Sequence, residues 1–110
     1  MVSNLPTFGY CSSFKTIYMK KFVIERHLPG AGNLSSEELQ SISQTSCETI
    51  GKMGKPYHWI QSFITGDKIY CIHIAESEEV IKEHSKMSQF PINTISEVKA
   101  VIDPLTANPI

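Results

Sequence analysis

Several signals that would each announce a function are missing from this sequence. Cysteine is scarce: Cys11, Cys47 and Cys71 are the three in 110 residues, and no two stand at CxxC spacing. That spacing gives neither a cysteine-built zinc ribbon nor a disulfide framework. An odd cysteine count without a secretion signal is the pattern of reduced thiols, so the cytoplasm is the expected compartment. Basic runs are short. Nothing exceeds Lys20-Lys21, and ten Lys and Arg against eleven Asp and Glu leave a formal net charge of −1. A surface that tracks a phosphate backbone needs clustered cations, so nucleic acid is not an expected partner. No apolar run approaches the ~18 residues of a membrane span. The opening MVSNLPTFGYCSSFKTIYM has no basic start and no continuous apolar stretch, which argues against a signal peptide. The motifs GxGxxG, GxxxxGK[ST] and HExxH, a nucleophile elbow and an EF-hand loop do not occur, and the GAG at Gly30 to Gly32 is too short for a phosphate loop. No cofactor-binding loop or catalytic set is expected from motif, and the chain reads as a non-enzyme before it reads as an enzyme.

What is present is a regular alternation of elements. KKFVIERHLPG, Lys20 to Gly30, reads as an opening strand whose apolar part, Phe22-Val23-Ile24, gives way to Glu25, Arg26 and His27 before a Pro-Gly turn. SSEEL from Ser35 has capping-box spacing, and apolar or small residues at intervals of three and four predict a helix over 36–52, ended by Gly51 and Gly54. YHWIQSFI, Tyr57 to Ile64, and KIYCIHIA, ending at Ala75, are rich in aromatic and β-branched residues and flank a turn at Thr65 to Lys68. Val80, Ile81, His84 and Met87 mark one face of a helix over 77–88, closed by Phe90-Pro91. Ile95 to Ile102 is the last predicted strand. The expected organisation is an N-terminal extension over 1–19, with Met19 an alternative start, then a domain over 20–103 and a tail over 104–110.

The order β-α-β-β-α-β predicts an α+β, ferredoxin-like sandwich: a four-stranded antiparallel sheet with two helices on one face. The other sheet face then needs cover, so a homodimer with a barrel-like α/β assembly is expected, unless the N-terminal extension covers it. With Phe22 and Ile24 facing the helices beside Tyr70, Ile72 and Ile74, the opposite face would carry Val23, Glu25, His27, Cys71 and His73. A tight hairpin would set Ser62 opposite Cys71 and Ile60 opposite His73, with His58 on that same face. His84, from the second helix, is expected at the same end of the sheet as Glu25 and His27. Imidazole and carboxylate converging on one rim suit nickel or another divalent transition metal, with His27, His84, Glu25, Cys71 and His73 as candidate ligands. The same groups could handle protons in a small cavity, so a small-molecule ligand is the alternative. Each also has a plain structural reading: His84 as a hydrogen-bonded core residue, Cys71 as a small buried hydrophobe, Cys47 in the buried helix stripe, and Tyr57, Trp59 and Phe63 as core or interface.

FVIERHLPG, SSEEL, the strand at Trp59 to Phe63 and KIYCIHIAESEEVIKEHSKMSQFPINTISEV together resemble a family of small bacterial proteins that includes nickel-binding and nickel-responsive members. The resemblance spans about Lys20 to Asp103. It implies a ferredoxin-like homodimer that binds a transition metal, with His27 and His84 at the family's histidine positions and Cys71 at its cysteine. The nickel-binding branch carries a second histidine beside the first, and another just before the proline that follows the second helix. Those positions hold Arg26 and Phe90 here.

Overall fold

The computed structural model describes residues 18–108, so the proposed extension lies almost entirely outside the described residues. The regular elements are β1 (Lys20–His27), α1 (Ser36–Met53), β2 (Tyr57–Ile64), β3 (Lys68–Ala75), α2 (Glu78–Ser88) and β4 (Thr94–Glu97), with short 3₁₀ turns at Ala31–Asn33 and Pro104–Ala107. The strands form one antiparallel sheet in the order β2-β3-β1-β4. This is the ferredoxin-like topology. The sheet does not close. β2 and β4 are its two edges and do not pair with one another, so the expected barrel-like assembly is corrected to an open four-stranded sheet; a barrel requires every strand to have two partners.

Local chemistry explains the element ends. Ser35 Oγ accepts from the Glu38 backbone N–H at 3.1 Å while Glu38 Oε1 accepts from the Ser35 N–H at 2.8 Å, the reciprocal bonds that the SSEEL spacing predicts. Gly54, at φ 65°, ends α1 in the left-handed region. The turn between β2 and β3 docks on the loop after β1: Leu28 N–H donates to Asp67 O at 2.8 Å and Gly30 N–H to Asp67 Oδ1 at 3.0 Å. Gly32 is required there, because a Cβ at that position would stand 3.0 Å from Thr65 O. β4 is shorter than predicted. Its ladder with β1 runs from Thr94 to Glu97, followed by a last bond from Val98 N–H to Lys21 O. Beyond that β1 ends, so Val101 and Ile102 have no strand among the described residues to pair with and lie exposed.

The faces of the sheet divide differently from the expectation. In β1–β3, Phe22 lies opposite His73, Ile24 opposite Cys71 and Arg26 opposite Ile69. Directly opposed residues share a face, so Cys71, His73 and Ala75 turn toward the helices with Phe22 and Ile24. Tyr70, Ile72 and Ile74 lie on the open face with Val23, Glu25 and His27. The core consists chiefly of Phe22, Ile24, Ile69, Ala75, Val80 and Ile81. A bulge between Trp59 and Gln61 sets Trp59, not Ile60, opposite His73, while Ser62 does face Cys71. One extra residue therefore keeps Tyr57, Trp59, Ser62 and Ile64 on the helix side and sends His58 away from His73. Cys47 and Met87, placed on buried helix stripes by periodicity, are exposed.

Candidate functional site

The inward positions of β1 are Phe22, Ile24 and Arg26. The first two fill the core, and the third places a guanidinium at a core position, only 4% exposed. Among the described residues its hydrogen bonds both come from Nη1, to Ser85 Oγ at 3.1 Å and Pro91 O at 2.7 Å. Its Cζ lies 5.7 Å from the centre of the Phe90 ring, a cation–π contact. No carboxylate among the described residues forms an ion pair with it.

Beside Arg26 is a group of buried aromatic and polar rings. His73 and His84 are 1% and 0% exposed. Tyr57 Oη lies 2.5 Å from His73 Nδ1, and His84 Nε2 shares a 3.2 Å hydrogen bond with Ser46 Oγ. The Tyr57 and His84 rings stack at 5.0 Å, and the two imidazoles meet edge to face with centres 5.3 Å apart. Burial is the main cause pushing the His73 imidazole down to about 3 and that of His84 to about 4, with the nearby Arg26 charge acting the same way and His84 also lowering His73. Both rings are therefore neutral at physiological pH. Burial likewise raises the Tyr57 phenol well above its ordinary value. Among the described residues, His84 Nδ1 is the one buried side-chain polar atom with no hydrogen-bond partner, an arrangement that costs about 1–3 kcal/mol.

These groups adjoin a cavity of about 250 Å³ between sheet and helices. Its apolar walls include Leu39 and Ile42 of α1, Trp59 and Ile64 of β2, Ile69 of β3, and Phe90. The cavity follows from sequence: α1 offers Ser43 and Ser46 to it, and these short side chains leave the space that a leucine stripe would fill.

The structure does not bring the predicted ligands together. His27 and Glu25 are on the open face, where His27 Nε2 lies 2.6 Å from Glu25 Oε2 and Lys68 Nζ lies 3.3 Å from the same oxygen. The hydrogen bond from His27, with further help from Lys68, holds the Glu25 carboxyl below its ordinary value. His84 is on the other side of the sheet, in the core. Cys71 and His73 share its side. The convergence of Glu25, His27 and His84 on one rim is thus corrected: adjacent residues of a strand point to opposite faces, and His84 packs against the face that His27 does not share. Among the described residues, no group of three or more His, Cys, Asp or Glu side chains gathers as a metal site. Reading for donors missed Arg26, Ser46 and Tyr57. The period-two run Phe22, Ile24, Arg26 was the available signal, a charge in phase with the core.

The family profile described as "Nickel responsive protein SCO4226-like" matches residues 22–98. The chain belongs to this family. A solved structure, SCO4226 from Streptomyces coelicolor A3(2), superposes with a TM-score of 0.64 at 18% sequence identity, covering 74% of this chain and 99% of that one. At that identity the likeness carries the fold alone. No curated protein matches the sequence significantly. The family description raises nickel. Within one copy of the chain the described residues do not fit: the partnered His27 and the buried His84 are separated by the sheet, and the charge that acts on the neutral imidazoles is the Arg26 cation.

Proposed function

We propose that this family member is a small-molecule-binding protein that takes its ligand into the cavity between sheet and helices. The observation that carries this reading is the cavity itself: about 250 Å³ of space with mainly apolar walls, into which Arg26, Ser46, His73 and His84 converge. Ligand sites combine apolar walls with a few fixed polar groups in this way. The volume is just below the ~300 Å³ lower end for drug-sized ligands, and suits a molecule of about ten non-hydrogen atoms. The neutral imidazoles can accept or donate hydrogen bonds, and nothing in the geometry assigns them a bond-breaking step.

A metal-binding role remains the second reading, favoured by the family match over residues 22–98. In that reading donors from a second copy of the chain complete the set around His27 and Glu25. A homodimer through the open face belongs to the same reading, supported by Val23, Ile72, Ile74 and Phe63 lying on that face. Sedimentation velocity with and without nickel separates the two, because only the metal reading requires nickel to bind with the stoichiometry of an interface.

Trp59 makes the leading reading testable, being the single tryptophan of the chain and part of the cavity wall. Titration with benzyl alcohol, a small neutral probe, is expected to change its emission saturably. The cavity-filling substitution Ser43→Phe is expected to abolish that change while the fold persists by circular dichroism. An equal response in both proteins would count against the cavity as the site.

A further inference from the structure

We infer that the ligand of this cavity is a small monoanion, a carboxylate on an apolar body, held through its charge by Arg26. The inference rests on the cavity being the binding site and adds the chemical class of what it binds. Fifteen of the described residues line the cavity, none of them Asp or Glu, and Arg26 is the only Lys or Arg among those fifteen. The described lining therefore presents one positive charge and no negative one. A guanidinium stays charged under all ordinary conditions. Buried charges are normally paired, because taking an ion out of water without a counter-charge is costly. Here the cation is 4% exposed, yet among the described residues only Nη1 is used in hydrogen bonding, by two neutral oxygens. Among the described residues Nη2 and Nε make no hydrogen bond, and they belong to the planar fork that matches a carboxylate.

The surroundings position this fork. The bond to Pro91 O, the bond to Ser85 Oγ and the contact with the Phe90 ring anchor the guanidinium from three directions. An arginine fixed in this way has already lost its rotamer freedom before the ligand arrives. The remaining wall is mainly apolar, with Leu28, Leu39, Ile42, Ile64 and Ile69 in it, so most of the ligand should be aliphatic or aromatic. An inorganic anion such as phosphate has no apolar body to set against Leu39, Ile42 and Ile69, and brings more charge than the one arginine of the described lining balances, so it is disfavoured. A divalent cation is disfavoured by the sign of the charge. The His84 ring also lines the cavity, and its Nδ1 has no hydrogen-bond partner among the described residues.

The test compares benzoate with benzyl alcohol, a neutral analogue of the same size, following Trp59 emission and thermal stability of the full chain. Benzoate is expected to bind about ten- to a hundredfold more tightly than benzyl alcohol, the range for a hydrogen bond to a charged group. In Arg26→Met that preference should vanish while benzyl alcohol still binds. Arg26→Lys, which keeps the charge without the fork, should retain part of the preference. The wild-type comparison requires no variant to fold. Equal affinity for the two probes in the wild type would overturn the inference and leave the cavity reading standing. Unchanged benzoate preference in Arg26→Met would overturn it too. If neither probe binds, both the inference and the reading beneath it fail.

Discussion

The two faces of the sheet handle the same kinds of side chain in opposite ways. On the open face, His27 is half-exposed and shares Glu25 with Lys68 in a solvated cluster. On the helix face, His73 and His84 are enclosed, neutral and next to a cation without a carboxylate partner among the described residues. Glu25, Arg26 and His27 are consecutive, yet the middle one belongs to a different environment from its neighbours. Water compensates polarity on the open face. On the helix face compensation must come from the protein or from a ligand; among the described residues the Arg26 charge has no carboxylate partner and His84 Nδ1 has no hydrogen bond.

That contrast can be broken by mutation in order of expected effect. Ile24→Ala, on the helix face and fully buried, should lower stability by about 2–5 kcal/mol in urea unfolding. Its neighbour Val23→Ala, on the open face, should cost roughly 1 kcal/mol or less. Equal losses would mean that the open face is also core, as a tightly covered interface would make it. Acid provides the next largest effect. His73 and His84 have folded values of about 3 and 4, below the ordinary 6.5. The unfolded chain therefore binds protons that the folded one refuses, so stability falls as pH drops below about 6.5 and continues to fall toward pH 3–4. With a limiting slope of ~1.4 kcal/mol per pH unit for each imidazole, the combined loss between pH 7 and 5 is on the order of 4 kcal/mol. His84→Phe should reduce that slope. The smallest effect is expected on the open face, where Glu25→Gln should leave the urea midpoint near its wild-type value and where any shift should disappear in high salt.

Much of the fold was legible because each level of the sequence agreed with the next. The Ser35 cap, the Gly54 stop and the β-branched and aromatic runs of β2 and β3 each matched the helix or strand that formed. The face of β3 was not legible, for a definite reason. Tyr70, Ile72 and Ile74 are collectively more apolar than Cys71, His73 and Ala75, yet pairing with β1 buries the second set. Register is a long-range property, and a period of two gives two answers that only the partner strand decides between. The bulge at Trp59 to Gln61 added a second change of phase that alternation could not foresee. The site followed the same logic. His84 was placed in the core on one plain reading, and that is where it lies; its predicted company, His27 and Glu25, is across the sheet. Arg26 and Phe90, which stand where the resembling nickel-binding branch has histidines, meet in space beside the cavity.

The most direct measurement is a crystal structure of the protein soaked with 4-bromobenzoate, located by the anomalous signal of bromine. The account predicts bromine between α1 and β2 and the carboxylate within hydrogen-bond distance of Arg26. Bromine on the open face beside His27, or an empty cavity at saturating ligand, would contradict it.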